Sequence, residues 1–105
     1  TERKLSPAGA RRPWRERKEE AIDHLADAPL DVLALKGADL CANIGDVVMD
    51  HAVVGTAVWG RFGAGRDEQV WYYTTAAAAV LTRLTGYGRL RTDLARRVAE
   101  LAALA

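Results

Sequence analysis

From Pro29 to Val54 the chain is a long apolar run that carries one polar stripe, Asp39, Asn43, Asp46 and Asp50. At about 100° per residue these four fall within roughly a 60° sector of a helix. One face therefore carries three carboxylates and an amide, while Leu33, Leu40, Ile44, Val47, Val48 and Val54 spread round the rest. A helix of this kind is buried on most sides and still presents acids to something. The rest of the chain has to supply the walls around it.

With 105 residues the chain can enclose one modest core, so a single small domain or a piece of one is expected. Half of the residues are apolar and no low-complexity tract occurs. The net charge of +1 argues against a dedicated nucleic-acid binder, but it is unevenly distributed. Residues 1–18 hold seven Lys and Arg against two acids, residues 19–50 one against eight, and the remainder seven against four. The basic arm and the acidic middle can pair with each other. Cys41 is the only cysteine, which excludes an internal disulfide and fits a reducing cytoplasm. The longest candidate membrane segment, Val70 to Leu81, is too short to span a bilayer. The chain opens at Thr1 without an initiator methionine, and we read it as a trimmed product or a fragment of a longer protein.

Residues 1–12 show no apolar periodicity and read as an extended basic arm; residues 13–105 read as one helical domain. A helix is expected from Pro13 to about Ala28, because proline suits a first turn and Pro29 ends the run. The central helix follows to a stop at Gly55. Gly37 and Gly45 within it each cost roughly 1 kcal/mol against alanine and mark a close approach by another helix or a ligand. A short helical piece at 56–62 and a glycine-bearing loop lead to a helix with Asp67 as N-cap, running to Leu84. Gly86-Tyr87-Gly88 is a turn, and a last amphipathic helix runs from about Arg91 with Leu94, Val98, Leu101 and Leu104 on one face. No strand is expected. The fold class is all-α, an antiparallel bundle of four to five helices.

The acidic stripe supports two readings. Carboxylate and amide oxygens on adjacent turns suit a hard divalent cation or general-base work on water. They suit equally ion pairing with arginines of the basic arm, or with Arg61 and Arg66. Asp39, flanked by Ala38, Leu40 and Cys41, needs a specific partner under either reading. His24 and His51 form no intrahelical ligand pair, which argues against structural zinc. Gly60 to Arg66 lacks the Gly-Lys-Ser/Thr ending of a phosphate loop. Trp59, Phe62, Trp71, Tyr72 and Tyr73 read as a core cluster between two helices. Arg11, Arg12, Arg15, Arg17 and Lys18 read as a solvated helix start facing the acidic middle, with phosphate contact as the alternative.

The segment Lys36-Gly37-Ala38-Asp39-Leu40-Cys41-Ala42-Asn43 resembles the Lys-x-Ala-Asp-x-x-x-Asn stretch of HD-domain phosphohydrolases, in particular the branch related to the hydrolase domain of RelA/SpoT enzymes. In register with it follow Asp50, Gly55, Trp59-x-Arg61-Phe62, Gly65 and Trp71-Tyr72-Tyr73, and upstream lies Trp14-Arg15-Glu16-Arg17-Lys18. The resemblance covers about residues 13–75. It implies a divalent metal, commonly manganese, that activates water for attack on a phosphoester or pyrophosphate bond of a nucleotide. By motif position Asp39 would be a metal ligand, and Asn43 would shape the nucleotide side of the pocket. Asp46 and Asp50 would pair with arginines such as Arg17 and Arg61.

The chain departs from the family pattern at Leu40, Ala42 and Gly45, and it contains no His-Asp dipeptide; Asp50-His51 has the reverse order. The resemblance therefore implies the C-terminal half of an HD domain, unable alone to form the family's metal site. Two functions follow as expectations: a fragment or truncated form of a metal-dependent phosphohydrolase, inactive by itself, or a non-catalytic helical interaction module derived from the same fold. Either a second copy or a missing N-terminal half would cover the apolar faces left open.

Overall fold

The structure, a computed structural model, describes residues 13–61 and 65–105. The expected arm at 1–12, with Arg11 and Arg12, and the residues Phe62, Gly63 and Ala64 lie outside these.

Four α-helices and one 3₁₀ segment follow in order: α1 (Trp14–His24), α2 (Leu30–Val54), the 3₁₀ helix (Gly55–Arg61), α3 (Arg66–Arg83) and α4 (Gly88–Ala102). No strand occurs among the described residues. Helix α2 packs against α3, α4 and the 3₁₀ segment, and α1 packs against α3. Consecutive helices run antiparallel, which leaves α2 and α4 side by side and parallel. Gly37 meets Leu90 near the start of α4, and Gly45 meets Arg97 further along it. The molecule is a slab of 43 × 37 × 15 Å. Its radius of gyration of 14.3 Å exceeds the roughly 13 Å of a rounder domain of this length.

The buried side of α2 explains this arrangement. Leu33, Gly37, Leu40, Ile44 and Val47 alternate in steps of four and three, so they form one seam down the helix. Leu33, Leu40 and Ile44 are completely buried, and they meet Ala76, Ala77, Val80 and Leu84 of the α3 side and Leu94 and Leu101 of α4 in a single core. Each large aliphatic side chain buried this way contributes on the order of 1.5–3 kcal/mol. Gly37 is the close approach expected from its cost: a Cβ there would lie 3.4 Å from both Val80 Cγ1 and Leu90 Cδ2. Gly55, at φ +65°, ends the helix in a conformation that side chains rarely adopt.

Several boundaries differ from the expectation. Helix α1 stops at His24, and residues 25–27 form a turn in which Leu25 and Ala26 donate to carbonyls three residues back. The proline at 29 disfavours helical backbone just before it. Gly65, in extended conformation, caps α3 instead of Asp67, and Asp67 takes a place in the first turn, accepting from Arg66 at 2.9 Å. Helix α4 begins at Gly88, three residues before the expected Arg91, and Leu104 lies beyond its end while still packing on the core. The described aromatic residues Trp59, Trp71, Tyr72 and Tyr73 all belong to or pack on the one core, but with different ring partners. Trp71 and Tyr72 meet Trp14 edge-on at 6.0 and 6.4 Å, whereas Trp59 sits at the far end of α2 beside His51. The 3₁₀ segment carries Trp59 there, and its indole N–H donates to the Ala105 carbonyl at 3.0 Å.

None of the four α-helices has a side-chain N-cap, and arginines hold the C-terminal ends of α1, α3 and α4. Arg83 donates to the carbonyls of Leu25 and Ala28, closing the α1 end. Arg91 reaches those of Leu81 and Leu84, and Arg66 those of Ala102 and Leu104. These cations satisfy carbonyls that a helix end leaves without partners, and they sit at the negative pole of its dipole.

Overfilling the α2 seam should be visible in stability. Gly37→Leu is expected to lower the unfolding free energy by about 1–3 kcal/mol in urea titration. Gly37→Ala, whose methyl reaches only ordinary contact and gains helix propensity, should change it by less than about 1 kcal/mol.

Candidate functional site

Helices α1, α2 and α3 border a cavity of about 490 Å³. From α2 it receives Val32, Lys36, Asp39 and Asn43, residues spaced in steps of four and three that therefore share one helix face. Helix α1 adds Lys18 and His24, and α3 adds Tyr72 and Tyr73. Asp39 and Asn43, the two positions singled out by the resemblance, thus lie side by side in the wall of one groove.

Their contacts are specific. The Asn43 amide Nδ2 donates to Asp39 Oδ2 at 3.4 Å, across one helical turn. Lys36 Nζ lies 3.9 Å from the same carboxylate oxygen and donates to Tyr72 Oη at 3.2 Å. Lys18 Nζ stands 4.7 Å from the centroid of the Tyr72 ring, and Lys36 Nζ 5.9 Å, so two ammonium groups face one aromatic ring. Tyr72 itself is buried. Burial pushes the Tyr73 phenol above its ordinary value, with Tyr72, Asp39 and Asp46 adding in the same direction. Near neutrality Tyr73 is a hydrogen-bond donor.

The remaining stripe residues are divided. Asp50 accepts from Arg61 Nη1 at 2.9 Å, an exposed pair of small energetic weight. Asp46 is exposed and forms no ion pair among the described residues. Arg17 is buried on α1. Cys41 faces α4, and burial followed by the Asp93 carboxylate raises its thiol despite Arg97 and Arg96, so it is a poor nucleophile.

The donor set can be compared with the metal that the resemblance implies. The Asp39 side chain is 57% exposed and its carboxylate is engaged by one ammonium and one amide. Among the described residues no three His, Cys, Asp or Glu side chains come together in a way that could hold a metal ion. The described residues do not fit a metal centre. They do form a donor-rich groove suited to a polar, anionic molecule, with Lys18, Lys36 and Asn43 as its polar contacts.

Lys36 and Tyr72 stand in the sequence pattern, but sequence reasoning gave them no role at the site. Lys36 precedes Asp39 by three residues and so shares its face, a signal that was present; the approach of Tyr72 from another helix was not. No helix among the described residues is long and apolar enough to cross a membrane. Compared with protein-family models and with curated proteins, the chain matches none.

The environment of Tyr73 gives a pH dependence. Its folded pKa is raised above 10.0, so folding favours the protonated phenol. The associated stability is complete below the unfolded value and is lost as pH rises through the folded one. Urea unfolding of the wild type should weaken more between pH 9 and pH 11 than that of Tyr73→Phe.

Proposed function

We propose that this chain is the C-terminal part of an HD-type, metal-dependent phosphohydrolase of the cytoplasm, acting on nucleotide phosphoester or pyrophosphate bonds and inactive by itself. One observation carries the reading. Asp39 and Asn43, picked out by an ordered sequence pattern, line one cavity, touch each other, and share it with Lys18 and Lys36.

In this reading the groove is the nucleotide side of a larger site. Lys18 and Lys36 bring positive charge toward phosphate oxygens, and the Asn43 carboxamide offers a hydrogen bond to the base or sugar. Tyr72 holds the Lys36 ammonium at 3.2 Å and so limits where it can point. A divalent metal, manganese in the family, would supply Lewis-acid chemistry in the complete domain with Asp39 as one ligand. The donors described here do not make that centre, and no hydrolytic step is assigned to this chain alone.

A second reading is a non-catalytic helical interaction module derived from the same fold. It is favoured by the engagement of the Asp39 carboxylate with Lys36 and Asn43, which is the arrangement of an acid serving structure.

The test is hydrolysis of guanosine tetraphosphate-like pyrophosphates with added manganese, by the chain alone and by the longest reading frame that contains it. Turnover is expected only in the longer protein. There Asp39→Ala should abolish it, and Asn43→Ala should raise KM more than it lowers kcat. Turnover that survives Asp39→Ala would sink the reading, and a longer protein that neither hydrolyses these substrates nor binds manganese leaves the interaction module.

A further inference from the structure

Opposite its buried seam, α2 carries a second one that nothing among the described residues covers. Val32, Leu35, Asp39, Ala42, Asp46, Met49 and Val53 succeed each other in alternating steps of three and four, and all seven are exposed. Leu35, Met49 and Val53 are 73%, 68% and 84% exposed, although they are large apolar residues on the central helix of the fold. The spacing is that of a helix–helix contact stripe, and from Val32 to Val53 it extends for about 32 Å. From residue 32 to residue 53 no position of the stripe is covered by another described element.

The charges on the stripe decide what can lie there. Asp39 and Asp46 interrupt the apolar positions in the middle. A second copy laid parallel and in register would set each aspartate against itself. Laid antiparallel, it would bring Val32 opposite Val53 and, by the same symmetry, Asp39 opposite Asp46. Both arrangements press carboxylates together in a contact losing its water, where like charges are costly. Lys36 is the only Lys or Arg of α2. It stands beside the stripe, is shared with Tyr72, and lies at the Asp39 end. Asp46 has no such neighbour.

We infer that the exposed face of α2 is a docking surface for a different amphipathic helix, one whose apolar stripe carries positive charge opposite Asp39 and Asp46. Apolar contacts at Val32, Leu35, Met49 and Val53 supply the attraction, and the two aspartates fix register and exclude self-pairing. Loss of the phosphohydrolase reading would leave this surface and its charge unchanged.

The experiment titrates the chain with a synthetic amphipathic peptide of about 22 residues, long enough for the stripe. It carries leucine at the contact positions and lysine opposite Asp39 and Asp46; a matched peptide carries glutamate there. The lysine peptide should bind about tenfold or more tightly than the glutamate peptide at low salt. Leu35→Lys and Met49→Lys, both at exposed positions, should each weaken it by a similar factor with an unchanged far-ultraviolet circular dichroism spectrum. Equal binding of the two peptides, no binding of either, or indifference to both substitutions overturns the inference. So does a dimer of the chain that Leu35→Lys dissociates, since the occupant would then be a second copy.

Discussion

The contact on which the structure depends is the meeting of α2 with α3 and α4 along Leu33, Gly37, Leu40, Ile44 and Val47. Everything else is arranged around that seam. Its one residue without a side chain, Gly37, stands where Val80 and Leu90 come closest, so the helix accepts a propensity cost in exchange for approach. Helix α4 lies parallel to α2 along this seam, and the chain crosses back through α3, which packs against both. The groove between α1, α2 and α3 is a consequence: α1 rests on α3 and leaves a gap beside α2, into which Lys36, Asp39 and Asn43 project.

Helix ends show a second economy. With no side-chain cap at any helix N-terminus, the free carbonyls at the C-terminal ends of α1, α3 and α4 are met by Arg83, Arg91 and Arg66. A charged donor to a carbonyl contributes about 1.5–3 kcal/mol where it is shielded from water, more than an ordinary capping hydroxyl. Two of these arginines also tie distant segments together, residue 83 to 25 and residue 66 to 104, so a local device also closes the tertiary fold. Of the two second-half arginines the sequence offered to the acidic stripe, Arg66 is thereby occupied by backbone oxygen, while Arg61 does meet Asp50.

Much of the fold was legible because apolar periodicity reports burial directly. The central helix, its stop at Gly55, the all-α class and the tight turn before α4 follow from spacing and from glycine. What was not legible depended on partners brought in from elsewhere. Asp67 has the chemistry of an N-cap, yet Gly65 took the position while Arg66 was drawn toward the end of α4. Trp59 was grouped with Trp71 and Tyr72 by sequence proximity, and the 3₁₀ segment carried it beside His51 and the Ala105 carbonyl, while Trp71 and Tyr72 met Trp14. In the site, the pairing of Asp39 with Asn43 was visible as an i, i+4 relation, whereas the Lys36 to Tyr72 hydrogen bond joins residues 36 apart and had no local signature.

The two seams of α2 show why its aspartates are where they are. A long helix that was apolar on both sides would be buried equally well either way round, and its exposed side would pair with any similar surface. Aspartates at 39 and 46 break that symmetry: turned inward, each would lose its hydration without a cation to replace it, a cost of several kcal/mol. They therefore fix which side of α2 faces the core. They also restrict what can cover the other side to a surface bringing positive charge. Val32 and Asp39 belong to both the exposed stripe and the groove wall, so a helix laid on the stripe would border the groove. The occupant of one surface thus becomes part of the surroundings of the other, and the polar residues of the groove face the side on which its enclosure is incomplete.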